Sequence, residues 1–92
     1  MKISDVVISK KGKYDGEMFF VIDVKDGFAL LADGKRRKIT NPKKKNILHL
    51  EETHFSSDAV REKIENGSNT VDALMRAELK RLKFMLKSKV SD

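Results

Sequence analysis

Apolar positions keep one rhythm through about residue 50 and a different one beyond it. Met18, Phe20, Ile22 and Val24 alternate with Glu17, Phe19, Val21 and Asp23, which predicts a strand with one apolar and one mixed face. The next run, Phe28–Ala32, is apolar on both faces (Phe28, Leu30, Ala32 against Ala29, Leu31), as a centrally placed strand would be. Asp26-Gly27 precedes this run and Asp33-Gly34 follows it. Asp-Gly adopts the left-handed dihedrals of a tight hairpin turn, so a three-strand meander ending in a strand at Lys35–Thr40 is expected. Val6-Val7-Ile8 reads as an earlier short strand and Lys10–Gly16 as the loop after it. Asn41-Pro42 marks a break, and Ile47–Leu50 reads as a closing strand.

Beyond Glu51–Thr53, a polar connector in this reading, the period becomes helical. Ser56 or Ser57 can cap a short helix over about 57–65, stopped by Asn66-Gly67. Asn69 or Thr70 can cap a longer one over about 70–87. There Val71, Leu74, Met75, Leu79, Leu82, Met85 and Leu86 form an apolar stripe, and Arg76, Lys80, Arg81, Lys83 and Lys87 lie opposite. Five short strands with tight turns suggest a small SH3-like barrel, which leaves no long unpaired edge. The expected architecture is therefore mainly β with a helical C-terminal part: a barrel over 1–50 and a helical appendage over 51–92.

Composition changes this picture little; charge changes it more. At 92 residues the chain can bury one modest core. It has no cysteine, so neither a disulfide nor a thiolate zinc site is expected. No apolar run approaches the length of a membrane span, and no secretory signal is visible after Met1, which together suggest a cytoplasmic protein. The net charge of +6 resides entirely in residues 1–50, with twelve Lys/Arg against six Asp/Glu, while residues 51–92 hold eight of each. Lys35 to Lys45 alone carries seven basic residues and no acid. Such a localised basic surface on a small β unit is the electrostatic footprint of a phosphate-backbone binder.

The stretch from Asp5 to Val24, with Lys10-Lys11-Gly12-Lys13-Tyr14-Asp15-Gly16 between two apolar runs, resembles a KOW motif. Leu30-Leu31-Ala32-Asp33-Gly34-Lys35-Arg36-Arg37-Lys38 and Asn41-Pro42-Lys43-Lys44-Lys45 continue the resemblance. Over about residues 3–50 the chain is similar to bacterial KOW-domain RNA-binding proteins, relatives of the fourteen-e type large-subunit ribosomal protein of archaea and eukaryotes. The resemblance implies an SH3-like barrel whose first loop helps contact RNA, often ribosomal RNA. It points to Lys10, Lys11, Gly12, Lys13, Tyr14 and Gly16, and to the basic run after Gly34. Glu17 departs from the pattern, standing where many KOW segments have a basic or small residue.

Each candidate has a plainer reading beside the functional one. Lys35, Arg36, Arg37 and Lys38 are RNA contacts or guards of an edge strand. Lys43, Lys44 and Lys45 follow Pro42 and are read as loop lysines attracted to phosphate; Arg36 and Arg37 can fork onto phosphate oxygens or stack on a base. Tyr14 either stacks on a base or anchors its loop, whereas Phe19, Phe20 and Phe28 are read as core. His49 and His54 make a poor metal site, and no nucleophile elbow or phosphate-cradling glycine loop is present. The expected function is thus non-catalytic RNA binding, with ribosomal RNA or the ribosome as partner, and without a cofactor, membrane or small-molecule substrate. The alternative is a protein-interaction adaptor that docks a partner through Val71–Leu86.

Overall fold

A computed structural model describes residues 1–90, with side chains described through Lys87. Five strands form one antiparallel sheet: β1 (Asp5–Ser9), β2 (Met18–Lys25), β3 (Phe28–Ala32), β4 (Lys43–Asn46) and β5 (Leu50–Ser56). Their spatial order is β4-β3-β2-β1-β5, and a single 3₁₀ turn, Ile47–His49, joins the two edge strands. Two helices follow, α1 (Asp58–Glu65) and α2 (Val71–Val90). The ladder is open, with β4 and β5 at its edges. Neither helix is long and apolar enough to cross a membrane, among the described residues.

The first Asp-Gly pair does what its chemistry suggests. Asp26 and Gly27 sit at φ 53° and 80°, and Lys25 pairs with Phe28 across a two-residue turn. The second does not make a hairpin. Lys35–Thr40 forms a loop, and the strand that pairs with β3 is Lys43–Asn46, which the sequence had suggested as loop. The reason lies in Asp33: its carboxylate accepts from the backbone N–H groups of Lys35 and Arg37, both at 2.9 Å, and its own N–H donates to the Arg37 carbonyl. These local bonds close the chain on itself, leaving the groups a ladder would need already satisfied. The final strand also differs: Ile47–His49 coils, and Glu51–Thr53, expected as a connector, lies within β5.

Both faces of the sheet are buried near its middle. Val6, Met18, Phe20 and Ala32 pack beneath Val60 of α1 and Val71, Met75, Leu79 and Leu82 of α2. On the other face Val7, Phe19, Val21, Ala29 and Leu31 gather under Tyr14, Ile47 and Leu50. A bulge divides β2 between them: Val21 pairs with Leu31 and Asp23 with Leu30, leaving Ile22 without a partner. One extra residue reverses the alternation. Ile22 still packs toward the helices with Phe20, and past the bulge Val24 turns instead to the face of Phe19 and Val21. Phe28, expected in the core, is 38% exposed because the helices do not reach that end of β3.

The helices follow the spacing closely. The Ser57 side chain accepts from the Val60 N–H, and Gly67 ends the first helical segment at φ 67°. The apolar stripe of α2 lies against the sheet, although Met85 near its end is exposed. Met75, fully buried between helix and sheet, is the sharpest probe of that packing. Met75→Ala is expected to lower stability by about 2–5 kcal/mol in urea unfolding. A change below about 0.5 kcal/mol would show that α2 contributes little to the core.

Candidate nucleic-acid interface

Two loops and one edge strand bring the predicted cations into place, each for a local reason. The loop between β1 and β2 is closed at its neck by Ser9 N–H to the Glu17 carbonyl and Gly16 N–H to the Ser9 carbonyl, at 2.9 and 2.7 Å. Gly12 and Gly16 take the left-handed conformation, φ 84° and 87°, that such a tight excursion demands. Tyr14 is half-buried, its ring edge-on to Phe19 at 5.6 Å. It is the anchor of its loop, and it also presents ring surface to the cations around it.

Lys13 Nζ, Arg36 Cζ and Arg37 Cζ lie 5.8, 5.9 and 6.0 Å from the Tyr14 ring centre. Each separation is at the outer limit for a cation–π contact. The ring is therefore a meeting point for three like charges and holds none of them tightly. Lys45, on β4, donates its ammonium to the Lys11 carbonyl and so ties the edge strand to the first loop. Lys43 falls on the same sheet face as Lys45, since they pair with Leu31 and Ala29. Cations from three segments distant in sequence thus share one flank: Lys13, Arg36 and Arg37, Lys43 and Lys45, with the backbone of Lys11 holding Lys45 there.

The remaining candidates have other surroundings. Lys44 projects from the opposite face of β4 and sits 4.6 Å from the Phe28 ring centre. Lys10 pairs with Glu51 of β5 at 3.5 Å. Lys38 is exposed, and its carbonyl accepts from the Asn41 N–H. Lys35 lines a groove of about 460 Å³ together with Glu17, Arg36, Arg76, Lys80 and Lys83. Within that groove Glu17 approaches both Arg36, at 3.5 Å, and Lys83, at 3.8 Å. His49 lies in the 3₁₀ turn and His54 in β5.

The side chains that set this geometry were largely absent from the sequence reading. Asp72, in the first turn of α2, accepts from the Ile39 N–H at 2.8 Å. Arg76 donates to the Gly34 carbonyl. Gly34 itself, at φ 77°, lies so near α2 that a Cβ there would fall 2.1 Å from the Asp72 carbonyl oxygen. The loop bearing Arg36 and Arg37 is thereby pinned to the helix at three points. Only a weak signal was available: Lys35–Thr40 contains a single apolar residue, Ile39, and so lacks the alternation of a strand.

No protein-family model matches this chain, and no match is found among curated proteins.

Gly34 and Gly16 provide a matched pair of tests. Both have positive φ, but nothing lies within 4 Å of a Cβ built on Gly16. Gly16→Ala should cost only the backbone strain, about 1–2 kcal/mol. Gly34→Ala adds a clash with helix backbone and should cost at least about 3 kcal/mol in denaturant unfolding or release the loop. Release would be read as faster amide exchange across residues 34–39. Equal costs with unchanged exchange would show that the loop is not pinned here.

Proposed function

We propose that this protein is a non-catalytic RNA-binding module of KOW type, with ribosomal RNA or a ribosome-associated RNA as its partner. The observation that carries the reading is the convergence of Lys13, Arg36 and Arg37 on Tyr14, with Lys45 tied to the same loop. Glu17 offsets Arg36 in part, but the side-chain cations of Lys13 and Arg37 have no carboxylate within 4 Å among the described residues, and a polyanion would relieve the repulsion that remains. The order β4-β3-β2-β1-β5, with a 3₁₀ turn linking the edge strands, supports an SH3-like arrangement. The segment resembling the KOW motif corresponds to β1, the basic loop and β2.

The apolar stripe of α2 favours this reading over a docking helix. Val71, Met75, Leu79 and Leu82 are at most 8% exposed against the protein's own sheet. A partner reaching them would first have to separate helix from sheet. Arginine presents a planar fork for phosphate and lysine a compact point charge, and the flank holds both. Contacts of this kind fix affinity and register on a nucleic-acid backbone and carry no base code.

The sheet face provides an internal control. With about five phosphates neutralised, log affinity for a structured RNA should fall by roughly four for each tenfold rise in salt, using the duplex DNA slope by analogy. Arg36→Glu with Arg37→Glu and Lys45→Glu should abolish binding and flatten the salt dependence in a filter or polarisation titration. Lys44→Glu, on the opposite face, should leave the affinity within about twofold, since it loses at most long-range attraction. Equal losses at Lys44 and Lys45 would indicate undirected charge attraction and defeat the proposed flank.

A further inference from the structure

We infer that Phe84 is a stacking platform for an unpaired base, so that the RNA path continues from the basic flank across the outer side of α2. This rests on the RNA-binding reading above and extends it to a second surface and a single-stranded segment. Phe84 is 72% exposed, the most exposed aromatic side chain on the molecule among the described residues. Nine residues beyond the fully buried Met75, at about 100° per residue, it projects diametrically away from the sheet. Nothing in the core needs it there, and a lone exposed aromatic ring gains nothing from water.

Its surroundings specify the occupant. Ala77, Lys80, Arg81, Lys83, Phe84 and Lys87 line one shallow depression of about 530 Å³; Arg81 is paired with Glu78 at 2.7 Å and Lys83 approaches Glu17 at 3.8 Å, while the Lys80 and Lys87 ammonium groups have no carboxylate within 4 Å among the described residues. Lys80 and Lys83 also line the groove that contains Lys35, Arg36 and Arg76 beside the carboxylates of Glu17 and Asp33. The two surfaces are therefore continuous, joined through these two lysines. An aromatic face within a cationic track is the arrangement that holds single-stranded nucleic acid: the ring takes a base and the ammonium groups take the flanking phosphates. A protein partner would expect an apolar area larger than one ring, and so would a bilayer.

The test compares two RNAs, a blunt hairpin and the same hairpin carrying a short unpaired 3′ tail, titrated against the full chain. Wild type should prefer the tailed RNA by roughly 5- to 150-fold, the range expected for one base stacked on an aromatic side chain. Phe84→Ala should abolish the preference while leaving blunt-hairpin affinity within about twofold, since stacking and phosphate contacts are separate terms. The unfolding midpoint should not move, because the side chain lies outside the core. The chain contains no tryptophan, so Phe84→Trp introduces a single reporter. It should retain the preference, and its emission should be quenched by the tailed RNA. Tailed and blunt RNAs binding alike, or a preference that survives Phe84→Ala, would overturn the platform and leave hairpin binding intact. Failure of wild type to bind either RNA would remove the underlying reading as well. A blue shift of the Phe84→Trp variant's emission on phosphatidylserine vesicles, with indifference to RNA, would assign the ring to a lipid surface and overturn the inference.

Discussion

The attachment of α2 to the loop after β3 determines where the strongest cations lie. That loop is too polar to hold itself against the sheet, and Ile39 is the one side chain it contributes to the core. Three contacts from the first turns of α2 position it: Asp72 to the Ile39 N–H, Arg76 to the Gly34 carbonyl, and the close passage of Gly34 over the helix backbone. Without them the segment would recover the conformational freedom of several residues, each costing about 1–2 kcal/mol to order. Arg36 and Arg37 would then sample a broad volume rather than converge on Tyr14. The helix sets the geometry of the basic flank even where it contributes no charge to it.

The sheet has a complementary role. Alternation along β2 serves two apolar layers, Phe20 and Ile22 beneath the helices and Phe19 and Val21 on the other face, and the bulge at Ile22 adds Val24 to the second layer. The second layer gives Tyr14 a floor, through its edge-on contact with Phe19. Order in the basic loop therefore traces back to the packing of β2. The buried alternation that stabilises the fold also fixes the position of the ring around which the cations collect.

Much of the fold could be read from local pattern, because local chemistry determines it. The Asp26-Gly27 turn, the Ser57 cap, the Gly67 stop and the stripe of α2 depend on residues a few positions apart. What the pattern missed depends on contacts across the chain or on competition within it. The Asp33 carboxylate captured backbone donors that a hairpin would have used, so the loop and strand assignments of the two basic runs were exchanged. Strand alternation then separated Lys44 from Lys43 and Lys45, which the sequence had treated as a single cluster. Phe28 looks like core by composition, and only the reach of the helices leaves it outside. Ladder closure is likewise a property of the assembled sheet, and no local residue pattern encodes it.

Glu17, placed among the cations, bears on the kind of anion that the proposed surface would accept. Its two carboxylate oxygens face Arg36 on one side and Lys83 on the other, joining the loop to the far half of α2. A single phosphate arriving between them must compete with an acid already in place and gains little by the exchange. A chain of phosphates can straddle the carboxylate and engage cations to either side at once, where the first contact raises the effective concentration of the next. On the proposed RNA-binding reading, the built-in acid would set a valency threshold, disfavouring small metabolite anions relative to a polymer.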